Sequence, residues 1–150
     1  MIIVSACLCG DNCKYNGGNN ANEKVKDFIK GKEVMYVCPE QMGGLSTPRN
    51  PSEIVGSAKG ILYGEDKIIS NKGVDVSREF ISGARKVLEI AKKNKVNLAI
   101  LKAKSPSCGK GFVYDGTFTG NKIIGNGITA QILMDNGVKV INEEELEEFW

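Results

Sequence analysis

Five cysteines offer the most reactive chemistry in the sequence: Cys7, Cys9, Cys13, Cys38 and Cys108. Three of them share a context. Cys7 follows an apolar run at residues 2–6, and Cys38 follows a second at Val34–Val37. Cys108 follows a third, Leu98–Leu101, across Lys102-Ala103-Lys104-Ser105-Pro106-Ser107. Soft thiolate ligands select iron–sulfur clusters or zinc. Three ligands rather than four leave one coordination position open, as catalytic metal sites do. A lone free cysteine usually fills a core as a small hydrophobe. Three in polar loops flanked by Gly and Pro read instead as a ligand set. Cys9 and Cys13 lie in the same loop as Cys7; they read by default as structural, and either could supply a further ligand.

The sequence has no histidine. That removes Ser-His-Asp and Cys-His catalysis, histidine-ligated haem and every mixed Cys/His zinc site. The remaining candidates flank the thiols. Glu40 stands two residues after Cys38, beyond Pro39, as a general acid or base or else as an exposed loop acid. Ser105 and Ser107 flank Pro106, where they can bring a hydroxyl to the site or cap the loop. Lys102, Lys104 and Arg49 are placed to offset an all-thiolate site, or are ordinary surface charges. Residues 125–129 precede a helical pattern and could cradle an anion at its N-terminus, without the full dinucleotide fingerprint.

Such a site needs a scaffold that brings distant loops together. Strand-like apolar runs alternate with helical patterns, which predicts an α/β fold: a Rossmann-like three-layer sandwich with a mainly parallel central sheet and β-hairpin insertions. Strands are expected at 2–6, Val34–Val37, Leu98–Leu101 and 138–141. Helices are expected at 22–30, Ser77–Lys93, 129–134 and 143–149. The helix Ser77–Lys93 is the clearest, with Phe80, Ile81, Ala84, Val87, Leu88 and Ala91 on one face. Hairpins are expected at 61–70, around Gly64-Glu65-Asp66, and at 112–124, between Asp115-Gly116 and Gly120-Asn121. The acidic run from Glu143 to Glu148 reads as a solvated helix. If the first three strands are parallel neighbours, the three thiols meet at their carboxyl edge, where open α/β sheets bind ligands. Glycine pairs in the loops there either admit a ligand close to the backbone or serve only as turns.

Composition sets the outer bounds. The 150 residues make one domain, 1–150, with 41% hydrophobic and 25% charged residues, ordinary for a globular chain. A net charge of +2, with lysines dispersed among acids, argues neither for nor against nucleic acid, and no nucleic-acid polymer is expected as a partner. The opening Met1-Ile2-Ile3-Val4 is too short for a signal peptide or a span, so a cytoplasmic, membrane-free location is expected. In that reducing setting an odd number of cysteines is not a disulfide framework.

Four motifs then stand in order. They are Ser5-Ala6-Cys7-Leu8-Cys9-Gly10 leading to Lys14-Tyr15-Asn16-Gly17, and Cys38-Pro39-Glu40 leading through Gly43-Gly44-Leu45 to Pro48-Arg49. Ser105-Pro106-Ser107-Cys108-Gly109 and Gly125-Asn126-Gly127-Ile128-Thr129-Ala130 complete them. Together they resemble the family known as domain of unknown function 523, whose characterised members are thiouracil desulfidases, across essentially the whole chain. The resemblance implies a [4Fe–4S] cluster held only by Cys7, Cys38 and Cys108, with one iron not ligated by protein. It implies a non-redox, hydrolytic desulfuration of thiolated pyrimidines such as thiouracil or thiouridine. The open iron takes the sulfur and polarises the carbon, and water supplies the oxygen. Glu40 moves protons between water and ring nitrogen, and Ser105 or Ser107 orients substrate or water. The implied partner is a small thiopyrimidine; oligomeric state stays open. Cys9 and Cys13 depart from many relatives and could compete for metal. The alternative is a non-catalytic metal-binding or electron-transfer module in which one of them closes a four-cysteine site.

Overall fold

The computed structural model describes residues 1–149. The first half contains β1 (Ile2–Ser5), α1 (Glu23–Ile29), β2 (Val34–Val37), α2 (Pro39–Met42), β3 (Ser52–Val55), α3 (Ala58–Leu62) and β4 (Lys67–Ser70). The second contains α4 (Ser77–Lys93), β5 (Leu98–Leu101), β6 (Phe112–Tyr114), β7 (Lys122–Ile124), α5 (Ile128–Asp135), β8 (Lys139–Asn142) and α6 (Leu146–Phe149). The main sheet runs β2-β1-β5-β8, and every neighbouring pair in it is parallel.

Side chains alternate across a strand. Ile3, Ala99, Leu101 and Val140 therefore meet Val87 and Ala91 of α4 and Ala130 and Leu133 of α5 on one face. Val4, Ile100 and Ile141 meet Val25 and Phe28 of α1 and Leu146 of α6 on the other. With both faces covered, all four residues of β5 are buried, as a central parallel strand requires. Burying each of Ile3, Val4, Ile100 and Leu101 contributes roughly 1.5–3 kcal/mol. This is the expected three-layer sandwich. The 112–124 hairpin also forms, pairing Phe112 with Ile124 and Tyr114 with Lys122.

Two expectations are corrected. The pattern at 61–70 predicts a hairpin, but Ile61 and Leu62 belong to α3, and β4 pairs antiparallel with β3. The Ser57 hydroxyl caps α3 by accepting from Gly60 N at 3.0 Å. Ala58 and Ile61, three apart, bury one helix face against Ile68, Phe80 and Ala84; a short apolar run cannot be assigned by period alone. The second correction concerns the acidic run. Residues 143–145 form a turn, and the helix starts at Leu146. Asn142 Oδ1 accepts from Glu144 N and Glu145 N, while Glu145 Oε1 accepts from Asn142 N, a reciprocal cap at the helix start. No helix among the described residues is long and apolar enough to cross a membrane.

Candidate metal and active site

Because β1 lies between β2 and β5 in parallel register, with Ser5 opposite Val37 and Val4 opposite Ile100, all three strands end at one edge. Each delivers a thiol there by different local means. After β1 the chain tightens into a 3-10 turn, Ala6–Cys9. Fully buried Leu8 anchors that turn below the sheet, and half-buried Cys7 is left facing the edge. Beyond β5 the Ser105 hydroxyl accepts from Ser107 N and Cys108 N, both at 3.1 Å, and Gly109 N donates to Ser105 O at 2.8 Å. That turn brings Cys108 back over the strand end.

Cys38 is positioned by helix contact. It is the N-cap of α2, with Pro39 at the first helical position. α2 packs backbone to backbone on α4. A Cβ at Gly43 would lie 1.9 Å from Glu79 O, and one at Gly83 would lie 1.9 Å from Pro39 O. No side chain fits either position, so both glycines are required for α2 to sit where it presents Cys38 and Glu40.

The result is a cleft of about 630 Å³ lined by Cys7, Cys13, Cys38, Cys108, Glu40 and Arg49, among others. The Cys13 thiol neighbours both Cys7 and Cys38, and its single S–H donates the hydrogen bond that either thiolate would accept. This bond draws the Cys7 pKa down to about 7 against the effect of burial, and it lowers that of Cys38 as well. Cys13, as the donor, is pushed up in turn. Burial first, and the Glu40 charge second, hold the Cys108 thiol well above its ordinary range. Glu40 is raised by desolvation and partly restored by Arg49. The two form an ion pair at 3.6 Å, with side chains only 15% and 10% exposed. Arg49 also donates to Cys13 O at 3.0 Å and to Thr47 Oγ1 at 2.9 Å, which ties the first thiol loop to the segment after α2.

The family model described as 2-thiouracil desulfurase matches residues 2–145. The chain belongs to the 2-thiouracil desulfurase family. A member of this family is an enzyme of the iron–sulfur-dependent desulfidase kind. YbbK of Bacillus subtilis (strain 168) is 46% identical over 149 residues, spanning 99% of each chain. The solved structure of the [4Fe–4S]-dependent thiouracil desulfidase TudS superposes with a TM-score of 0.85 at 36% identity. It covers 98% of this chain and 93% of that one.

The donor set of this family member fits an iron–sulfur cluster. Among the described residues no group of three Cys, Asp or Glu side chains is placed to hold a single metal ion. Several soft thiols lining one cleft are the donor chemistry of an iron–sulfur cluster, each iron taking its own thiolate. Cys7, Cys38 and Cys108 come together as expected, and Glu40 and Ser105 line the same cleft. Ser107 does not face it. It is fully buried, its hydroxyl is 2.9 Å from Thr129 Oγ1, and it ties the Cys108 loop to α5. Cys9 packs toward the α1 face, away from the cleft, and burial raises its pKa.

The anion cradle expected at residues 125–129 is overturned. Thr129 N and Ala130 N donate to Ser107 O, Ile128 N to Pro106 O, and Gly127 N to Gly109 O. The first turn of α5 thus spends its donors on the Cys108 loop. The cleft lysines are not surplus cations either. Lys102 pairs with Glu143 at 3.0 Å and Lys104 with Glu144 at 3.2 Å, beside Lys110 with Glu145 at 2.7 Å. Glu143, Glu144 and Glu145 thus pair with the lysines of the Cys108 loop, while Glu147 and Glu148 on α6 stay exposed, as the expected solvated helix has them. Sequence reasoning left Cys13, like Cys9, as a structural cysteine or a further ligand; its place six residues after Cys7 in one loop was the available signal. Glu53 and Phe118 carried none.

Proposed function

We propose that this protein is a [4Fe–4S]-dependent desulfidase that removes sulfur hydrolytically from thiolated pyrimidines of the thiouracil and thiouridine class. The observation that carries this reading is the meeting of Cys7, Cys38 and Cys108 with the buried Glu40–Arg49 pair in one cleft. Those three thiolates hold the cluster and leave one iron without a protein ligand. When bound, the cluster supplies a soft Lewis acid for a thiocarbonyl sulfur.

The chain's own groups do the rest. Glu40 lines the cleft beside the thiols and burial raises its carboxyl above the ordinary value, so it is the group that carries the proton between water and the ring nitrogen. Arg49 keeps that carboxyl oriented and limits how far its pKa climbs. Ser105 spends its oxygen on accepting two backbone N–H groups, which leaves its hydroxyl hydrogen to donate to substrate or water in the cleft.

Anaerobic reconstitution with iron and sulfide tests the reading. The expected result is about four irons per chain and sulfide release from 2-thiouracil, 4-thiouracil or 4-thiouridine. Glu40→Gln keeps the iron and loses about 10²–10⁴-fold in kcat. No iron under any condition reduces the cysteines to structural residues and sinks the proposal. One observation favours a second reading: Cys13 lines the same cleft as Cys7, Cys38 and Cys108, so it could close a four-cysteine, non-catalytic site. Cys13→Ser spares an open three-cysteine cluster and destroys a closed one, as iron counting will show.

A further inference from the structure

Part of the cleft lining comes from the β6–β7 tip, and its construction is unusual. Tyr114, Phe118 and Gly120 of this hairpin line the cleft, together with Tyr15 from the first thiol loop. Phe118 has φ +57°, a left-handed backbone that bulky L-residues rarely adopt. One carboxylate oxygen holds it there: Glu53 Oε1 accepts from Gly116 N at 2.9 Å and from Phe118 N at 3.2 Å. Gly116, φ +94°, lies so close to β3 that a Cβ would come 2.8 Å from Ile54 O. The tip is further tied by Asp115, whose Oδ1 accepts from Thr117 N and Thr117 Oγ1. Two of the three non-glycine residues with positive φ among those described, Lys104 and Phe118, line this one cleft. Strain maintained at a ligand cleft points to function.

The charges around the tip are already committed. Arg49 is taken by Glu40, Lys102 by Glu143 and Lys104 by Glu144, while Glu53 serves the hairpin backbone. Lys14 lies 5.7 Å from the Tyr15 ring centroid. What the tip offers a ligand is therefore aromatic surface. Phe118 remains 38% exposed even though the carboxylate latch fixes its backbone.

We infer that Phe118 is the base-recognition residue of this cleft, with Glu53 as its positioning residue, and that together they select a flat heteroaromatic ring. This inference rests on the desulfidase reading for the identity of the ring as a pyrimidine. Stacking on an aromatic side chain rewards a planar π face and gives little to a puckered one. The natural probes are uracil, the oxo product of thiouracil desulfuration, and 5,6-dihydrouracil. The second keeps the same amide edge on a saturated, puckered ring.

The test is calorimetric titration of both probes into reconstituted protein, beside steady-state kinetics with 2-thiouracil. Wild type binds uracil at least ~5-fold tighter than dihydrouracil. Phe118→Ala weakens uracil by about tenfold and brings the ratio near one; Phe118→Tyr retains both. KM for 2-thiouracil rises by the same factor, while kcat and iron content hold. Phe118→Leu, which keeps apolar bulk without a π face, should behave like Phe118→Ala and guards against a misfolded tip. Glu53→Ala repeats the KM effect with Phe118 intact. Glu53→Gln, which still offers an acceptor oxygen, restores wild-type behaviour. Equal affinity for the two probes in wild type, or uracil affinity unchanged in Phe118→Ala with native iron content, overturns the inference. If wild type turns over 2-thiouracil but Phe118 is silent, this inference fails and the desulfidase reading stands. If uracil binding follows Phe118 but no thiopyrimidine yields sulfide, the reverse holds.

Discussion

Cys38 and Phe118 face the same cleft, yet the floor and the roof they belong to are made differently. The floor hangs on the parallel sheet. Its thiols follow parallel strands, of which the central β5 is buried along all four residues, and its loops are locked by backbone contacts such as Gly83 against Pro39 and Gly127 against Ser107. The roof is a three-residue-stranded hairpin with exposed Phe112, Ile123 and Ile124, held down by one carboxylate and an isolated bridge from Val113 to Lys104. Elements with few buried apolar contacts occupy the low-stability end of a fold. The comparison teaches a division of labour. The floor must keep several ligands in fixed relation, so it is built from contacts that tolerate no added atom. The roof needs only to present a ring, so a latch is enough.

That contrast can be broken most sharply at the ligands. Cys38→Ala removes one thiolate, and we expect loss of iron and of turnover together, whereas Cys9→Ser leaves iron content unchanged because Cys9 packs on the α1 side. Iron counting after reconstitution separates the two. Next comes Gly83→Ala, whose methyl group is aimed at Pro39 O. Overpacking of this kind costs about 2 kcal/mol; chemical denaturation should show that loss, together with faster release of iron as α2 is displaced. An unchanged midpoint would mean that the floor is more compliant than the comparison holds. The smallest effect belongs to the rim. Lys104 and Glu144 are 35% and 60% exposed in their side chains, and exposed pairs contribute little after solvent screening. Lys104→Ala should therefore shift stability by no more than ~0.5 kcal/mol and leave iron content intact.

Much of the floor could be read in advance. Apolar runs at Val34–Val37 and Leu98–Leu101, alternating with helical patterns, predicted a parallel sheet, and cysteines placed after such parallel neighbours arrive at its carboxyl edge. The β3–β4 pair was harder to see. Ser52–Val55 carries a charged and a polar residue in four, and Ile61 followed by Leu62 fits helix and strand equally well. The acidic run misled for a related reason. Its composition suits a solvated helix, and nothing local shows that lysines some forty positions earlier would meet it.

Taken alone, the sequence determined the α/β class, the parallel sheet, the three convergent thiols and the absence of histidine chemistry, because periodicity and residue type act over neighbouring positions. Only the tertiary structure decided between residues of the same type in the same loop. It put Cys13 in the cleft and Cys9 behind it, and Ser105 at the surface of the site and Ser107 in the interior. It also decided that the N–H groups at the start of α5 serve the Cys108 loop rather than an anion. Glu53 and Phe118, joined across 65 positions, belong to that second group. A hydrogen bond between distant residues depends on where the packed sheet and helices carry their loops, and no local pattern records that position.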